Sequence, residues 1–163
     1  MNGKLRNMTA IYLFRGEKVL LLFRKGGKVV DRVWTGSAGG HFEENELNDP
    51  TACVLREMKE ELGLGSEQIA DLTMRYVTLR DTGGEIRQNY YFFATLADEV
   101  GEDLHSNEGE LAWFSLEELD GLEMPFTAKY VVEHYVKAGR FTSDRYVGIT
   151  TSENVSFHPL HKT

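Results

Sequence analysis

Length, composition and charge restrict the classes of protein to which this chain can belong. The 163 residues suit one domain, predicted to span residues 1–163. Hydrophobic residues make up 41% and charged residues 27%, which excludes a disordered, collagen-like or coiled-coil chain. Eighteen Lys and Arg against 26 Asp and Glu give a net charge of −8, the wrong sign for gripping duplex nucleic acid.

The sequence also bears on location. No apolar run approaches the roughly 18 residues that a membrane helix needs, so we predict no membrane span. Met1–Thr9 lacks the apolar core of a secretory signal. The single cysteine, Cys53, cannot form an intramolecular disulfide and fits a reducing cytosol. We therefore expect a cytoplasmic protein, either a monomer or a homodimer.

Alternation of apolar residues and turn signals predict eight strands and three helices. The predicted strands are Thr9–Phe14, Val19–Arg24, Trp34–Ala38, Leu72–Arg80, Gln88–Ala97, Leu111–Phe114, Tyr146–Thr150 and Val155–His158. The predicted helices are Asp49–Leu62, a short one from Ser115 and Thr127–Ala138. Glycine-containing turns join the first two strands and the Leu72–Arg80 and Gln88–Ala97 pair into hairpins. The expected class is α+β, a mixed central sheet with helices packed on it.

The helix before Gly63 carries the most informative pattern. Its apolar residues gather on one side, whereas Glu57, Glu60 and Glu61 gather on the other. Like charges at these spacings cost about 0.2–0.5 kcal/mol per pair. Mg²⁺ removes that repulsion, since it takes oxygen ligands and commonly bridges carboxylates to phosphates. The alternative is a solvated helix face, with Arg56 and Glu60 forming an ordinary ion pair.

Residues 40–46 (GHFEENE) and 56–64 (REMKEELGL) together resemble the Nudix box, Gly-x5-Glu-x7-Arg-Glu-U-x-Glu-Glu-x-Gly-U, where U is aliphatic. The second half matches at every fixed position. Nine residues rather than seven separate Glu46 from Arg56, and we place this two-residue insertion in the loop before Asp49, where extra length is tolerated. The insertion affects the role of Glu46 rather than that of the helical glutamates.

This resemblance implies a Nudix fold, an α/β/α sandwich around a mixed sheet. It also implies an enzyme, a pyrophosphohydrolase that cleaves a nucleoside diphosphate linked to another moiety. By position, Glu57, Glu60 and Glu61 are expected to hold Mg²⁺ or Mn²⁺, with a backbone carbonyl at Gly39 or Gly40 as a further ligand. Arg56 is expected to orient a carboxylate.

A general base and the substrate contacts complete the expected site. In MutT-like members a glutamate in a loop well after the box is a metal ligand or base. The loop before Leu111 resembles it, with Glu108 favoured over Glu110 and with Glu60 and Glu61 as competing bases. The residues expected at the substrate are Arg24, which can reach a phosphate, Trp34, which can stack on a base, and Gly40 and Glu46 of the box.

The layout most resembles MutT-type enzymes that convert nucleoside triphosphates to monophosphates and pyrophosphate, including the branch acting on 8-oxo-dGTP. The Asn or Asp residues that read oxidised guanine have no match in Trp34–Ser37 or Met124–Thr127. The expected partner is thus a small nucleotide of undetermined base. The alternatives are an ADP-ribose or nucleotide-sugar pyrophosphatase and a non-catalytic nucleotide-sensing domain.

Overall fold

One mixed sheet joins the strands of the residues that the computed structural model describes, 4–27 and 31–163. The start of the Met1–Thr9 segment lies outside these ranges. The strands are β1 (Lys4–Arg15), β2 (Lys18–Arg24), β3 (Val33–Thr35), β4 (Ala38–His41), β5 (Ile69–Thr82), β6 (Glu85–Leu96), β7 (Glu110–Ser115), β8 (Arg145–Thr150) and β9 (Val155–Leu160). Their order is β3-β2-β1-β6-β5-β8-β9, with β4 paired to β1 and β7 paired to β2.

The pairing makes the sheet mixed, as predicted. The pairs β1–β6 and β5–β8 are parallel, and the other pairs are antiparallel. Both predicted hairpins are present, and Gly16 and Gly83 supply the positive φ that their turns require. The strands β1 and β5 begin earlier than the sequence predicts, because pairing with neighbours extends them beyond their apolar runs.

Two helices cover opposite faces of the sheet. Along β1, Ile11 and Leu13 face the core under α1 (Pro50–Leu62), whereas Tyr12 faces the core under α2 (Phe126–Lys137). This alternation is the period-2 geometry of a strand that is buried on both faces. The predicted α+β class and the α/β/α sandwich are therefore confirmed. No helix in the described part of the chain is long and apolar enough to cross a membrane.

The predicted strand Trp34–Ala38 is wrong in its extent. It divides into β3, which pairs with β2, and β4, which pairs with β1. Between them the buried Ser37 hydroxyl accepts a hydrogen bond from Leu13 N at 3.0 Å and donates one to Leu20 O at 2.5 Å. The side chain thereby satisfies backbone groups where β1 and β2 separate, so the chain changes partner without leaving buried polar groups unpaired.

The two later helices differ from prediction in detail. The segment after Ser115 forms a 3-10 helix, Leu116–Gly121. The Ser115 hydroxyl donates to the Glu118 carboxylate at 3.0 Å and does not cap the backbone of this helix. The last helix begins and ends one residue earlier than predicted and continues into a 3-10 turn, Gly139–Phe141.

Candidate active site

Local sequence rules place the acidic helix. Asp49 caps α1 by accepting a hydrogen bond from Ala52 N at 3.0 Å, and Pro50 occupies the first turn. Gly63 ends the helix in the left-handed conformation at φ 71°, and its N–H donates to Lys59 O. The helix therefore has the bounds that the sequence predicts, and its glutamates occupy fixed positions beside β4.

Two of the three helical glutamates line the cleft. Glu61 is buried and Glu57 is largely so, and both line the cleft described below. The Glu60 side chain is 56% exposed and lies outside the lining of the cleft, with its carboxylate 3.1 Å from Arg56 Nη1. Glu57 and Glu61 therefore line the cleft, whereas Glu60 only shares the Arg56 guanidinium with Glu57, and its role as a metal ligand stays a prediction.

Arg56 organises the acidic residues around it. Its guanidinium donates two hydrogen bonds to Glu46, Nε to Oε1 at 2.6 Å and Nη2 to Oε2 at 3.0 Å. It also donates to Glu57 at 3.0 Å and to the His41 carbonyl at 3.0 Å. A two-pronged guanidinium–carboxylate pair is among the stronger hydrogen-bonded contacts in proteins. Arg56 thus contacts the Glu46 and Glu57 carboxylates, as a residue that orients a carboxylate would.

Glu46 lies behind Arg56 and not at the cleft. It is 4% exposed, and hydrogen bonds from Arg56 are the main reason that its pKa falls to about 2. Glu46 does not line the cleft, and both of its carboxylate oxygens accept hydrogen bonds from Arg56, so its predicted substrate-binding role stays a prediction without support from this geometry. The Glu46–Arg56 pair forms despite the two-residue insertion, which the turn at Leu47–Asn48 accommodates.

Two glycines let the acidic helix approach the sheet. A Cβ at Gly40 would collide with the Glu57 carboxylate, and a Cβ at Gly39 would collide with the backbone of Thr9. Gly39 also has φ 155°, which an L side chain rarely adopts, and its N–H points at Glu61 Oε2 at 3.4 Å. Gly39 therefore cannot be replaced without moving backbone, and a side chain at Gly40 would displace the Glu57 carboxylate from its place beside the sheet. The predicted ligand role of the backbone carbonyl there stays a prediction.

Arg24 links Glu61 to the loop glutamate. Its guanidinium lies 4.0 Å from Glu61 and 3.8 Å from Glu108. Burial raises the pKa of Glu61 to about 7; Arg24 and the Gly39 N–H oppose this rise, while Glu57 and Glu108 add to it. Of the two candidate loop glutamates, Glu108 lines the cleft and Glu110 does not, because Glu110 pairs with β2 as the first residue of β7.

The acidic residues at the cleft have the chemistry of a divalent-cation site. We call Glu57, Glu61 and Glu108 the acidic wall. As the side chains stand in residues 4–27 and 31–163, no group of three His, Cys, Asp or Glu is arranged to hold a metal ion. Arg56 and Arg24 occupy these carboxylates instead. Three carboxylates at one end of a cleft, two of which help to raise the pKa of Glu61, fit a hard cation that takes oxygen ligands.

The acidic wall stands at one end of a cleft of about 580 Å³. Among the predicted site residues, the cleft is lined by Arg24, Gly39, Gly40, Glu57, Glu61 and Glu108. Its floor is the face of β1 and β6 that carries Met8 and Tyr91, and the start of α2 closes the other side with Phe126 and Thr127. A cleft of this volume is large enough for a small organic ligand.

Trp34 is not at the cleft. Its ring packs against Phe23, with centroids 4.9 Å apart, and edge-on against Phe114 at 4.7 Å. These contacts belong to the apolar cluster under α2. Because Trp34 does not line the cleft, this geometry gives no support to its base-stacking role, which stays a prediction.

Three further arginines line the cleft, and no sequence pattern predicted them. They are Arg6, Arg80 and Arg87. Arg80 and Arg87 flank the predicted turn at Asp81–Glu85 almost symmetrically, so they oppose each other across the β5–β6 hairpin. This spacing is a signal that could have found two of the three. Arg6 becomes their neighbour only through the parallel pairing of β1 with β6, which local sequence does not encode.

Comparison with known protein families agrees with the fold and with the site described above. The family model described as the NUDIX domain matches residues 4–135. The chain therefore belongs to the NUDIX family, and it is a pyrophosphohydrolase, as predicted. Enzymes of this family generally use divalent metal ions, in agreement with the chemistry of the acidic wall.

Solved structures show the same fold at low sequence identity. The MutT protein of Bacillus halodurans is 21% identical over 94% of this chain and 97% of its own, with a TM-score of 0.64. The MutT protein of Methanosarcina mazei is 19% identical over 86% and 99%, with a TM-score of 0.67. The NUDIX domain of Shewanella oneidensis NrtR, solved with ADP ribose, is 18% identical over 87% and 90%, at 0.56. No sequence match to a curated protein was found.

Proposed function

We propose that this protein is a Mg²⁺-dependent hydrolase of nucleoside triphosphates, which it converts to the monophosphate and pyrophosphate. The observation that carries this proposal is the acidic wall beside Arg24 at the end of a cleft large enough for a nucleotide. A cation held by the wall reconciles a net charge of −8 with a polyanionic substrate. The reaction is proposed to take place in the cytoplasm, in one domain that comprises residues 1–163.

The acidic wall is proposed to hold Mg²⁺, or Mn²⁺ in its place. When bound, such an ion neutralises charge on the phosphate oxygens and lowers the pKa of a bound water. Glu60, which the sequence also predicts as a ligand, is not included in the wall because it does not line the cleft. Arg56 acts through Glu57, by holding that carboxylate beside Gly40.

The chain's own residues supply the remaining chemistry. Arg24 lies between two carboxylates at the cleft and is placed to bind a phosphate oxygen. Water attacks one phosphorus of the diphosphate, and the bond from that phosphorus to the bridging oxygen breaks. The water proton passes to a carboxylate of the wall, either Glu108 or Glu61. Hydrolysis therefore consumes one water and yields a nucleoside monophosphate and pyrophosphate.

A second candidate is the hydrolysis of ADP-ribose or a nucleotide sugar. The observation in its favour is the similarity of the fold to the NrtR domain solved with ADP ribose. Base identity, including 8-oxo-dGTP, has no support from an Asn or Asp in the segments named above. A non-catalytic sensor is disfavoured, because a domain that only binds nucleotide has no use for carboxylates that repel one another.

A substrate panel tests the proposal. Purified protein is incubated with the common deoxynucleoside triphosphates, 8-oxo-dGTP, ADP-ribose, dinucleoside polyphosphates and GDP-mannose, with Mg²⁺, with Mn²⁺ or with EDTA. Pyrophosphate and phosphate are measured separately. We expect metal-dependent release of pyrophosphate from at least one triphosphate, and this release identifies the base. Turnover of ADP-ribose alone would replace the proposal with the second candidate, and binding without turnover would replace it with a sensor.

A further inference from the structure

Three arginines from three strands form one row across the floor of the cleft. Arg6 on β1 is directly opposite Arg87 on β6, and Arg87 is directly opposite Arg80 on β5. All three line the cleft, and we call them the arginine row. Because neighbouring strands are about 4.8 Å apart, the row is roughly 10 Å long. Residues this distant in sequence form such a row only through the register of the sheet.

The row has more positive charge than its neighbours neutralise. Like charges directly opposite each other on a sheet are destabilising. One carboxylate serves two members, since Glu85 lies 3.3 Å from Arg87 and 3.7 Å from Arg6. In the described part of the chain Arg80 forms no ion pair, and its guanidinium lies 5.2 Å from the centre of the Phe126 ring.

One member of the row also has an unused donor. Arg6 Nε is buried and has no hydrogen-bond partner among the described residues. The Asn89 side chain, two residues further along β6 on the same face, has a buried Oδ1 that also lacks a partner, and this acceptor fits a donor group of a ligand rather than its phosphate. Buried polar atoms are nearly always hydrogen-bonded, so unpartnered ones at a cleft indicate a group that a ligand satisfies.

The row begins close to the acidic wall and leads away from it. Arg6 Nη2 lies 3.1 Å from His41 Nε2, and His41 follows Gly40, the glycine packed against Glu57. From Arg6 the row crosses β6 to reach Arg80 beside Phe126, the first residue of α2. A ligand held at the acidic wall by one phosphate can therefore present a second anionic group to the arginine row.

We infer that the arginine row binds a terminal phosphate group of the substrate, a phosphate other than the two whose linkage is cleaved. This inference rests on the proposed function, because it assigns another part of the same cleft. A terminal phosphate carries close to two negative charges, and guanidinium groups match its oxygens with paired hydrogen bonds. The γ-phosphate of a nucleoside triphosphate is such a group, whereas ADP-ribose and nucleotide sugars end in a neutral sugar. The row therefore selects triphosphates over these alternatives.

Direct binding without turnover provides the first test. Inorganic pyrophosphate is titrated by calorimetry, at low salt and in EDTA, into the wild type, Arg80→Gln, Arg87→Gln and the matched control Arg140→Gln. Arg140 is exposed and lies beyond the C-terminus of α2. We expect each row variant to weaken binding roughly 10-fold or more, as for the loss of a charge-assisted contact, and the control to match the wild type. Equal binding by wild type and row variants would overturn the inference.

Selectivity provides the second test. The kcat/KM of the best triphosphate of the substrate panel is compared with that of its γ-methyl ester, in which the terminal phosphate is no longer dianionic, and with that of GDP-mannose. We expect the wild type and Arg140→Gln to prefer the triphosphate at least 10-fold, and Arg80→Gln and Arg87→Gln to lose most of that preference. An unchanged preference in both variants would contradict the inference. If no nucleotide of the substrate panel is turned over, the proposed function fails. The pyrophosphate titration still tests whether the arginine row binds phosphate.

Discussion

The two ends of the cleft are built in different ways. In the acidic wall, Glu57 and Glu61 come from one turn of α1, and Arg56 and Arg24 hold the carboxylates. The arginine row draws its members from three strands, and one carboxylate, Glu85, serves two of them. A charged cluster from a single helix turn is encoded by local spacing. A cluster assembled by strand register is encoded by the whole fold. For the arginine row, we infer that a ligand balances the positive charge.

The largest expected effect is on the acidic wall. Glu57→Gln keeps the shape of the side chain but removes a charge that faces the proposed cation. We expect turnover to fall about 10²- to 10³-fold, equivalent to about 2.7–4 kcal/mol of lost transition-state stabilisation. Steady-state kinetics at saturating Mg²⁺ on the best substrate of the panel would measure this, with circular dichroism to verify that the variant is folded.

Glu60→Gln is the matched variant for that prediction. Glu60 is three residues further along the same helix and contacts the same arginine, but it is exposed and outside the lining of the cleft. We therefore expect its loss of turnover to be at least about tenfold smaller than that of Glu57→Gln. Equal losses in the two variants would show that both carboxylates act on the cation and that Glu60 turns toward the cleft.

A second prediction concerns the aromatic cluster formed by Trp34, Phe23 and Phe114. Trp34→Ala removes a ring that packs against Phe23 and Phe114. We expect the free energy of unfolding to fall by about 3 kcal/mol, as for other large-to-small changes in apolar clusters. Because Trp34 does not line the cleft, KM should stay within about twofold of the wild type. Urea unfolding and substrate kinetics measure the two quantities.

Trp113→Ala is the control for this prediction. Trp113 is the chain's other tryptophan and packs against the cluster on the opposite face. We expect Trp113→Ala to reduce the free energy of unfolding by a comparable amount, again without a change in KM. A rise in KM confined to Trp34→Ala would restore the stacking role that the sequence suggested.

The sequence predicts those parts of this molecule that local chemistry determines. Asp49, Pro50 and Gly63 bound α1 because a cap, a first-turn proline and a left-handed glycine act on their immediate neighbours. The division of Trp34–Ala38 into two strands depends instead on Ser37, whose hydroxyl reaches backbone groups of two other strands. At the site, too, local patterns do not predict contacts between residues that are distant in sequence. Glu57 and Glu61 follow from spacing within a helix, whereas the arginine row requires a strand order that is not visible in local patterns.

The smallest of the expected effects concerns the support behind the acidic wall. Glu46 is buried against Arg56, and its pKa is lowered to about 2 from an ordinary value near 4.5. A carboxyl group with a lowered folded-state pKa stabilises the fold fully above the unfolded value, and this contribution disappears as the pH falls from about 4.5 to about 2. We therefore expect Glu46→Gln to reduce the free energy of unfolding by about 2 kcal/mol at pH 7.

The pH dependence separates this contribution from those of other carboxylates. The difference in free energy of unfolding between wild type and Glu46→Gln should shrink toward zero by about pH 2, where Glu46 is itself becoming protonated. Glu43→Gln is the matched control, since Glu43 is exposed and only 3.7 Å from the same guanidinium. The difference in free energy of unfolding between wild type and Glu43→Gln should stay small from pH 7 to pH 2, because exposed ion pairs contribute little to stability. A constant difference for Glu46→Gln from pH 7 to pH 2 would mean that packing, not the ion pair with Arg56, is what Glu46 supplies.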